Sequence, residues 1–408
     1  MHDLAVMTDW LEFAVRWLHV ITAIAWIGSS FYFIALDLGL RKSPDLPPGA
    51  YGEEWQVHGG GFYHIQKYTV APDRLPDHLI WHKWQSYWTW MSGFVLLVLV
   101  YYLGAEFYLI DPNVMDLHVW EAVAISVASL GLGWVLYDRL CRSALGHRPQ
   151  ALMLVLFVIL VLFSWGYAQV FSGRAALLHL GAFTATIMSA NVFLVIIPNQ
   201  KIVVADLRAG RTPSPEYGRI AKLRSTHNNY LTLPVLFLML SNHYPLAFAT
   251  EWNWVIASLV FLMGVTIRHF FNTMHATGRM VWWTWAATAA IFVAIMWLST
   301  APMRAGQAEG AELRGAPARF AAAEGFDEAY QIVFGRCSMC HAAEPVWQGV
   351  RWPPGGVVLE TPADIARQAR AIYLQSGVSH AMPPANITWM EDHERRAIAA
   401  WYRAGRSG

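Results

Sequence analysis

Charged residues are scarce in this sequence. They fill 14% of its 408 positions, where soluble domains average about a quarter, and that shortfall excludes a wholly water-soluble chain. The charge that exists is balanced, 29 Lys and Arg against 28 Asp and Glu. No polyanion-binding surface follows from such a balance, and no nucleic-acid partner is expected. Cysteine is rarer still. Three residues, Cys141, Cys337 and Cys340, are too few for a disulfide framework. Cys141 lies beside Arg139 and Arg142 in what reads as a short loop, and is expected to be an inert thiol. The first apolar run lacks the basic flank of a cleaved signal. Asp3, Asp9 and Glu12 stand there instead, and the run is too long for such a segment.

What the chain has in abundance is apolar length. A bilayer crossing takes about 20 apolar residues. Eight runs qualify: 13–36, 86–110, 119–140, 151–171, 175–197, 230–242, 254–271 and 281–299. The sixth is short, and reaches full length only by starting near Thr226 or continuing through Pro245. Loop charge orients the runs. One set of loops holds Arg41, Lys42, Lys67, Arg74 and Lys83, then Arg139, Arg142 and Arg148, then Lys201 through Arg224, then Arg268 and Arg279. The alternate loops hold only Arg174. This predicts an outward N-terminus and an all-α, eight-helix transmembrane bundle over 1–300, with membrane lipid around it. Residues 37–85 form a long cytoplasmic loop, and 301–319 a flexible Ala/Gly/Glu-rich linker. Residues 320–408 then lie on the outer, periplasmic side of a bacterial inner membrane.

The run Cys337-Ser338-Met339-Cys340-His341 is the C-x-x-C-H sequence of covalent haem c attachment, with two thiols for thioether bonds and an imidazole for the iron. Met382, before Pro383 and Pro384, is the expected second axial ligand, because a Met sulfur opposite His gives a high-potential haem. Helices are expected at 326–335, 361–377 and 388–403. Thr388 would cap the last one and Met390 would lie inside it. Helix, attachment motif, helix, Met loop, helix is the layout of a class I cytochrome c domain.

Ionisable residues within apolar runs are functional candidates. His19 and His179 fall in the outer halves of the first and fifth runs, and are candidate ligands of a b-type haem. Asn199, Gln200 and Lys201 end the fifth run, while His227, Asn228 and Asn229 open the sixth. These groups are expected to meet on a small hydrogen-bonding substrate. His227 would be the general base, since imidazole accepts a proton near neutral pH. Within the first loop, alternation at 55–58 and 62–68 around Gly59, Gly60 and Gly61 predicts a β-hairpin over the inner mouth.

Taken together, eight spans, Trp17-Leu18-His19 through Trp26-Ile27-Gly28, a Gly-rich first loop, Thr226-His227-Asn228-Asn229-Tyr230 and the C-terminal cytochrome resemble the membrane-bound, cytochrome-c-linked urate oxidase (urate hydroxylase) family over essentially the full length. The first helix also resembles that of membrane b-haem proteins acting on protoporphyrinogen. The first resemblance implies oxidation of urate to 5-hydroxyisourate in purine catabolism. Electrons would pass to the fused haem c and on to a downstream acceptor, with water as hydroxyl source and no peroxide. On that reading urate would lie among Asn199, Gln200, His227, Asn228 and Asn229, its charge balanced by Lys201 or Arg224. A quinol–cytochrome c oxidoreductase is the competing expectation.

Overall fold

The computed structural model describes residues 4–68, 75–300, 313–348, 350 and 353–407. The described chain is mostly helical. Five helices are long and apolar enough to cross a membrane: Val6–Gly39, Val119–Arg142, Pro149–Val170, Gly173–Arg208 and Asn253–Thr277. The remaining three apolar runs also become helix. Trp84–Leu96 continues as a widened turn over Leu97–Tyr102, the sixth run ends the helix Pro215–Leu240, and Trp283–Ser299 is a shorter apolar helix.

In chain order the N-terminal elements are α1 (Leu4–Gly39), β1 (Ala50–His58), β2 (Gly61–Tyr68), α2 (Trp84–Leu96), α3 (Ala105–Tyr108), α4 (Val119–Arg142), α5 (Pro149–Val170), α6 (Gly173–Ala190), α7 (Ile197–Arg208), α8 (Pro215–Leu240), α9 (Pro245–Phe248), α10 (Asn253–Thr277) and α11 (Trp283–Ser299). A widened turn over Asn191–Ile196 joins α6 to α7 immediately before Pro198, which has no N–H to give the helix ladder. Close helix contacts are made at glycine. A Cβ on Gly133 of α4 would fall 2.2 Å from the Phe183 ring of α6, and one on Gly93 of α2 would fall 2.9 Å from the His19 imidazole of α1. The bundle core, with Leu130, Tyr137, Leu156, Leu180 and Phe183, sits between α4, α5 and α6. Cys141 belongs to the last turn of α4 and is buried, so the expected loop placement is corrected: α4 runs on through Arg142.

The two strands pair antiparallel as expected. Gly59 and Gly60 form the turn, with φ of 61° and 78°, the positive pair of a two-residue type I′ hairpin. Lys67 of β2 pairs with Asp37 at the end of α1 at 2.6 Å, tying the hairpin to the bundle.

The C-terminal elements are α12 (Gly315–Ala321), α13 (Phe326–Cys337), α14 (Pro362–Arg367), α15 (Ala369–Ile372) and α16 (Asp392–Ser407). Their core holds Phe320, Val333, Ile365, Tyr373, Ile398 and Trp401. Most of the expected linker, 301–312, lies outside the described residues, but its end does not behave as a tether. α12 overlaps it, because Phe320 is fully buried and stacks on Tyr402 at 5.4 Å. The last helix also begins later than expected. Trp389 has a φ of 58°, which no helix accepts, so Met390 lies in the loop ahead of α16 and Thr388 is buried rather than capping. Glu394 instead accepts the Glu391 N–H at 2.7 Å.

This domain rests on the bundle end that carries the start of α1. Arg319 bonds Glu106 at 2.8 Å, Arg370 reaches the Tyr108 hydroxyl at 3.0 Å and Asp9 at 3.7 Å, and the Phe320 ring meets Phe107.

Candidate functional site

Two groups of residues carry chemistry, one at each end of the molecule. In the C-terminal domain, α13 delivers Cys337 to its last turn, and the backbone then keeps turning. The N–H groups of Cys340 and His341 both donate to the Cys337 carbonyl, at 3.2 and 2.9 Å. Two free thiols and an imidazole therefore share one turn. Burial pushes the Cys337 thiol up to about 12, with Cys340 adding to the effect, and raises Cys340 as well. His341 Nδ1 donates to the Val357 carbonyl at 2.9 Å. That bond fixes the tautomer and leaves Nε2 as the ligating atom.

Met382 occupies a separate loop that is held by its backbone. Its N–H donates to Gln375, and its carbonyl accepts from Arg395 at 3.0 Å. The same guanidinium donates to Ser376 at 2.8 Å, and Arg395 is buried. Two thiols, an oriented imidazole and a thioether are the donor set of a haem c with His and Met ligands, and they fit that group.

At the far end of the bundle, α4, α6 and α8 enclose a polar network. The Tyr137 hydroxyl bonds His227 Nδ1 at 2.8 Å. Asn191 Nδ2 donates to that hydroxyl and to Asn228 Oδ1, while its Oδ1 accepts from Arg224. Arg224 also pairs with Asp138 at 2.6 Å and lies 4.9 Å over the Tyr137 ring. Beside this, Asn229 Oδ1 accepts from Asn272 and Arg268. His227, Asn228 and Asn229 are thus brought together and buried.

Gln200 joins them only at the surface of two cavities. One, of about 500 Å³, is lined by Gln200 and Asn228; the other, of about 680 Å³, by Gln200 and Asn229. Lys67 lines both, so the hairpin forms part of their rim. His227 and Asn199 line neither cavity. Arg224 pairs with Asp138 and lines neither cavity, its Nε buried without a partner, and Lys201 is exposed.

His19 and His179 are not brought together. His19 Nδ1 bonds the Thr89 carbonyl and Ser92 of α2, and its ring lines an apolar hollow of about 210 Å³ with Leu178, Ala182 and His243. His179, about 100° further round α6 than Leu178, is fully buried among the rings of Tyr101, Tyr167 and Phe171. His179 does not line the hollow that His19 faces, and its Nε2 is buried without a partner.

Residues 5–299 match the family model described as urate oxidase N-terminal. The chain belongs to that family. No curated protein and no solved structure matches it. The match covers the bundle and stops before the C-x-x-C-H domain, so the family membership is carried by the membrane part.

Two residues of this family member's candidate sites, Tyr137 and Arg395, escape sequence reasoning; Asn191, an amide one to two turns before Asn199, does not. Asn191 and Tyr137 both sit in apolar runs, and their shared hydrogen bond spans 54 positions. Arg395 resembles an ordinary charge on an amphipathic helix. An intramembrane Asn is the one usable signal, since a buried amide needs partners.

Proposed function

We propose that this urate oxidase N-terminal family member oxidises urate to 5-hydroxyisourate and passes the electrons to a haem c held by Cys337, Cys340, His341 and Met382. The observation that carries the reading is the presence, in one chain, of the family's membrane part and a C-x-x-C-H turn whose His341 is already oriented by Val357. The reaction balances without dioxygen. A urate monoanion and one water give 5-hydroxyisourate, one proton and two electrons; the new C–O bond takes its oxygen from water. The bound haem would supply one-electron acceptance at high potential, as His/Met ligation favours, and because each urate gives two electrons a downstream acceptor must re-oxidise it twice in each turnover. No peroxide forms, because dioxygen is not reduced. On this reading the bundle crosses a bacterial inner membrane eight times, with the cytochrome domain periplasmic.

The sequence's own choice of substrate chamber, Gln200 with Asn228, Asn229, His227 and Asn199, draws support from Gln200 and Asn228 lining one cavity. The function is tested by mixing urate with the holoprotein under argon. Urate should reduce the haem c, and re-aeration should yield no peroxide. Reduction by a quinol but not by urate would overturn the reading in favour of a respiratory oxidoreductase.

A further inference from the structure

The far-end chamber has a distance problem. α6 and α7 run as one continuous helix, Gly173–Arg208. At 1.5 Å per residue, Arg174 and Gln200 are about 39 Å apart along it, and the cytochrome domain docks at the Arg174 end. A larger chamber lies at that end.

The geometry points to the cavity between the bundle and the C-terminal domain as the place where a planar, oxygen-rich purine anion binds for oxidation; this rests on the urate reading above. The cavity measures about 1040 Å³, room for a bicyclic purine and the water it consumes. Arg174, Arg367 and Arg370 line it with two carboxylates, Asp111 and Glu251; Arg367 and Arg370 are already paired with Asp364 and Asp9, so Arg174 is the cation left to face an anion. Three side-chain atoms of lining residues are buried with no partner: Arg174 Nε, Asn242 Oδ1 and Asn253 Oδ1. They comprise one charged donor and two acceptors. A urate anion offers the complement, oxygens for the guanidinium and ring N–H groups for the amides. Unpaired buried polar atoms are costly, and such a ligand carries the complement of both kinds. Asn253 is buried, and its Nδ2 is tied to the Phe248 carbonyl at 3.3 Å, which leaves Oδ1 as its free end.

Val357 connects this chamber to the acceptor. It lines the cavity, and its carbonyl holds His341 Nδ1. Substrate and acceptor therefore face one another across a single residue instead of across the bilayer. Two electrons leave the purine one at a time toward that side, water oxygen bonds to its C5, and the proton is released to solvent.

Two measurements test the site apart from the function. In sealed proteoliposomes with the cytochrome domain outward, urate added outside should reduce the haem c, and urate trapped inside should not. Reduction from inside would overturn the proposal in favour of the Gln200 chamber; reduction from neither side would overturn the functional reading itself. In anaerobic equilibrium binding to the detergent-solubilised holoprotein, Arg174→Gln should weaken urate by about 10- to 100-fold, the loss expected of a charged hydrogen bond. Asn242→Asp should weaken it by placing a like charge beside the anion, and Arg174→Lys should recover part of the loss. Wild-type affinity in both Arg174→Gln and Asn242→Asp, with an unchanged dithionite-reduced spectrum, would overturn the proposal.

Discussion

His341 and Val357 are joined by one hydrogen bond, Nδ1 to carbonyl oxygen at 2.9 Å. The same Val357 lines the chamber beneath the domain. The imidazole is thereby aimed before any metal arrives, and its ligating face is decided by a backbone atom that no side-chain substitution removes. In the His341→Ala variant, Cys337 and Cys340 should still attach haem covalently, while the iron loses its proximal ligand. The haem content per chain by pyridine haemochrome should match wild type, the spectrum should turn high-spin, and urate-driven reduction should fail.

Arg395 holds the Met382 loop from below, donating to the carbonyls of Ser376 and Met382 at 2.8 and 3.0 Å. Arg395→Gln should free that loop and weaken the Met–iron bond without touching the motif. Because Met ligation raises the potential, a redox titration should show a lower midpoint. An unchanged midpoint would mean that the loop holds itself.

Glu394 accepts from Arg336 Nε at 3.0 Å and from the Glu391 N–H at 2.7 Å. Burial opposes its ionisation, but the Glu391 amide and Arg336 together hold the carboxyl below its usual range. A carboxylate depressed in the folded state stabilises above its unfolded pKa of about 4.3, and that contribution disappears as pH falls through the lower folded value. Glu394→Gln should therefore cost the domain about 1 kcal/mol at pH 7. Its melting temperature should converge with wild type in acid. A constant gap at all pH values would contradict the assignment.

Asn191 joins Tyr137, Asn228 and Arg224 inside the bundle. Asn191→Leu removes three buried hydrogen bonds and strands Asn228 Oδ1 and Arg224 Nη1, while Tyr137 keeps His227 and the Arg224–Asp138 pair remains. It should destabilise the bundle by about 1–3 kcal/mol per stranded group, less what relaxation recovers. Thermal unfolding in detergent measures this, with haem c content as the control that the other domain remains intact.

Local features were legible in the sequence. Every long apolar run became a helix, Gly59 and Gly60 closed the hairpin as their positive φ requires, and Cys337, Cys340 and His341 share a turn because three residues span about one helical turn. Partner choice across helices was not legible. Arg224 is paired with Asp138, 86 positions away. Nothing in the spacing of either residue shows that their helices are neighbours. Depth along a helix could be read for His19 and His179, but not facing: His19 of α1 bonds Thr89 and Ser92 of α2, while His179 of α6 sits among the rings of Tyr101, Tyr167 and Phe171, a matter of which helices pack together. The late start of α16 depends on the φ of Trp389, a residue type that gives no warning of a left-handed backbone.

Anaerobic titration of the oxidised holoprotein with urate tests the central claim most directly, with the haem c spectrum as readout. On the proposed reaction each urate gives two electrons and each chain holds one haem c, so the endpoint should fall at half an equivalent of urate per haem, with 5-hydroxyisourate as the product. A haem c that stays oxidised under excess urate, yet is reduced at once by dithionite, would contradict it.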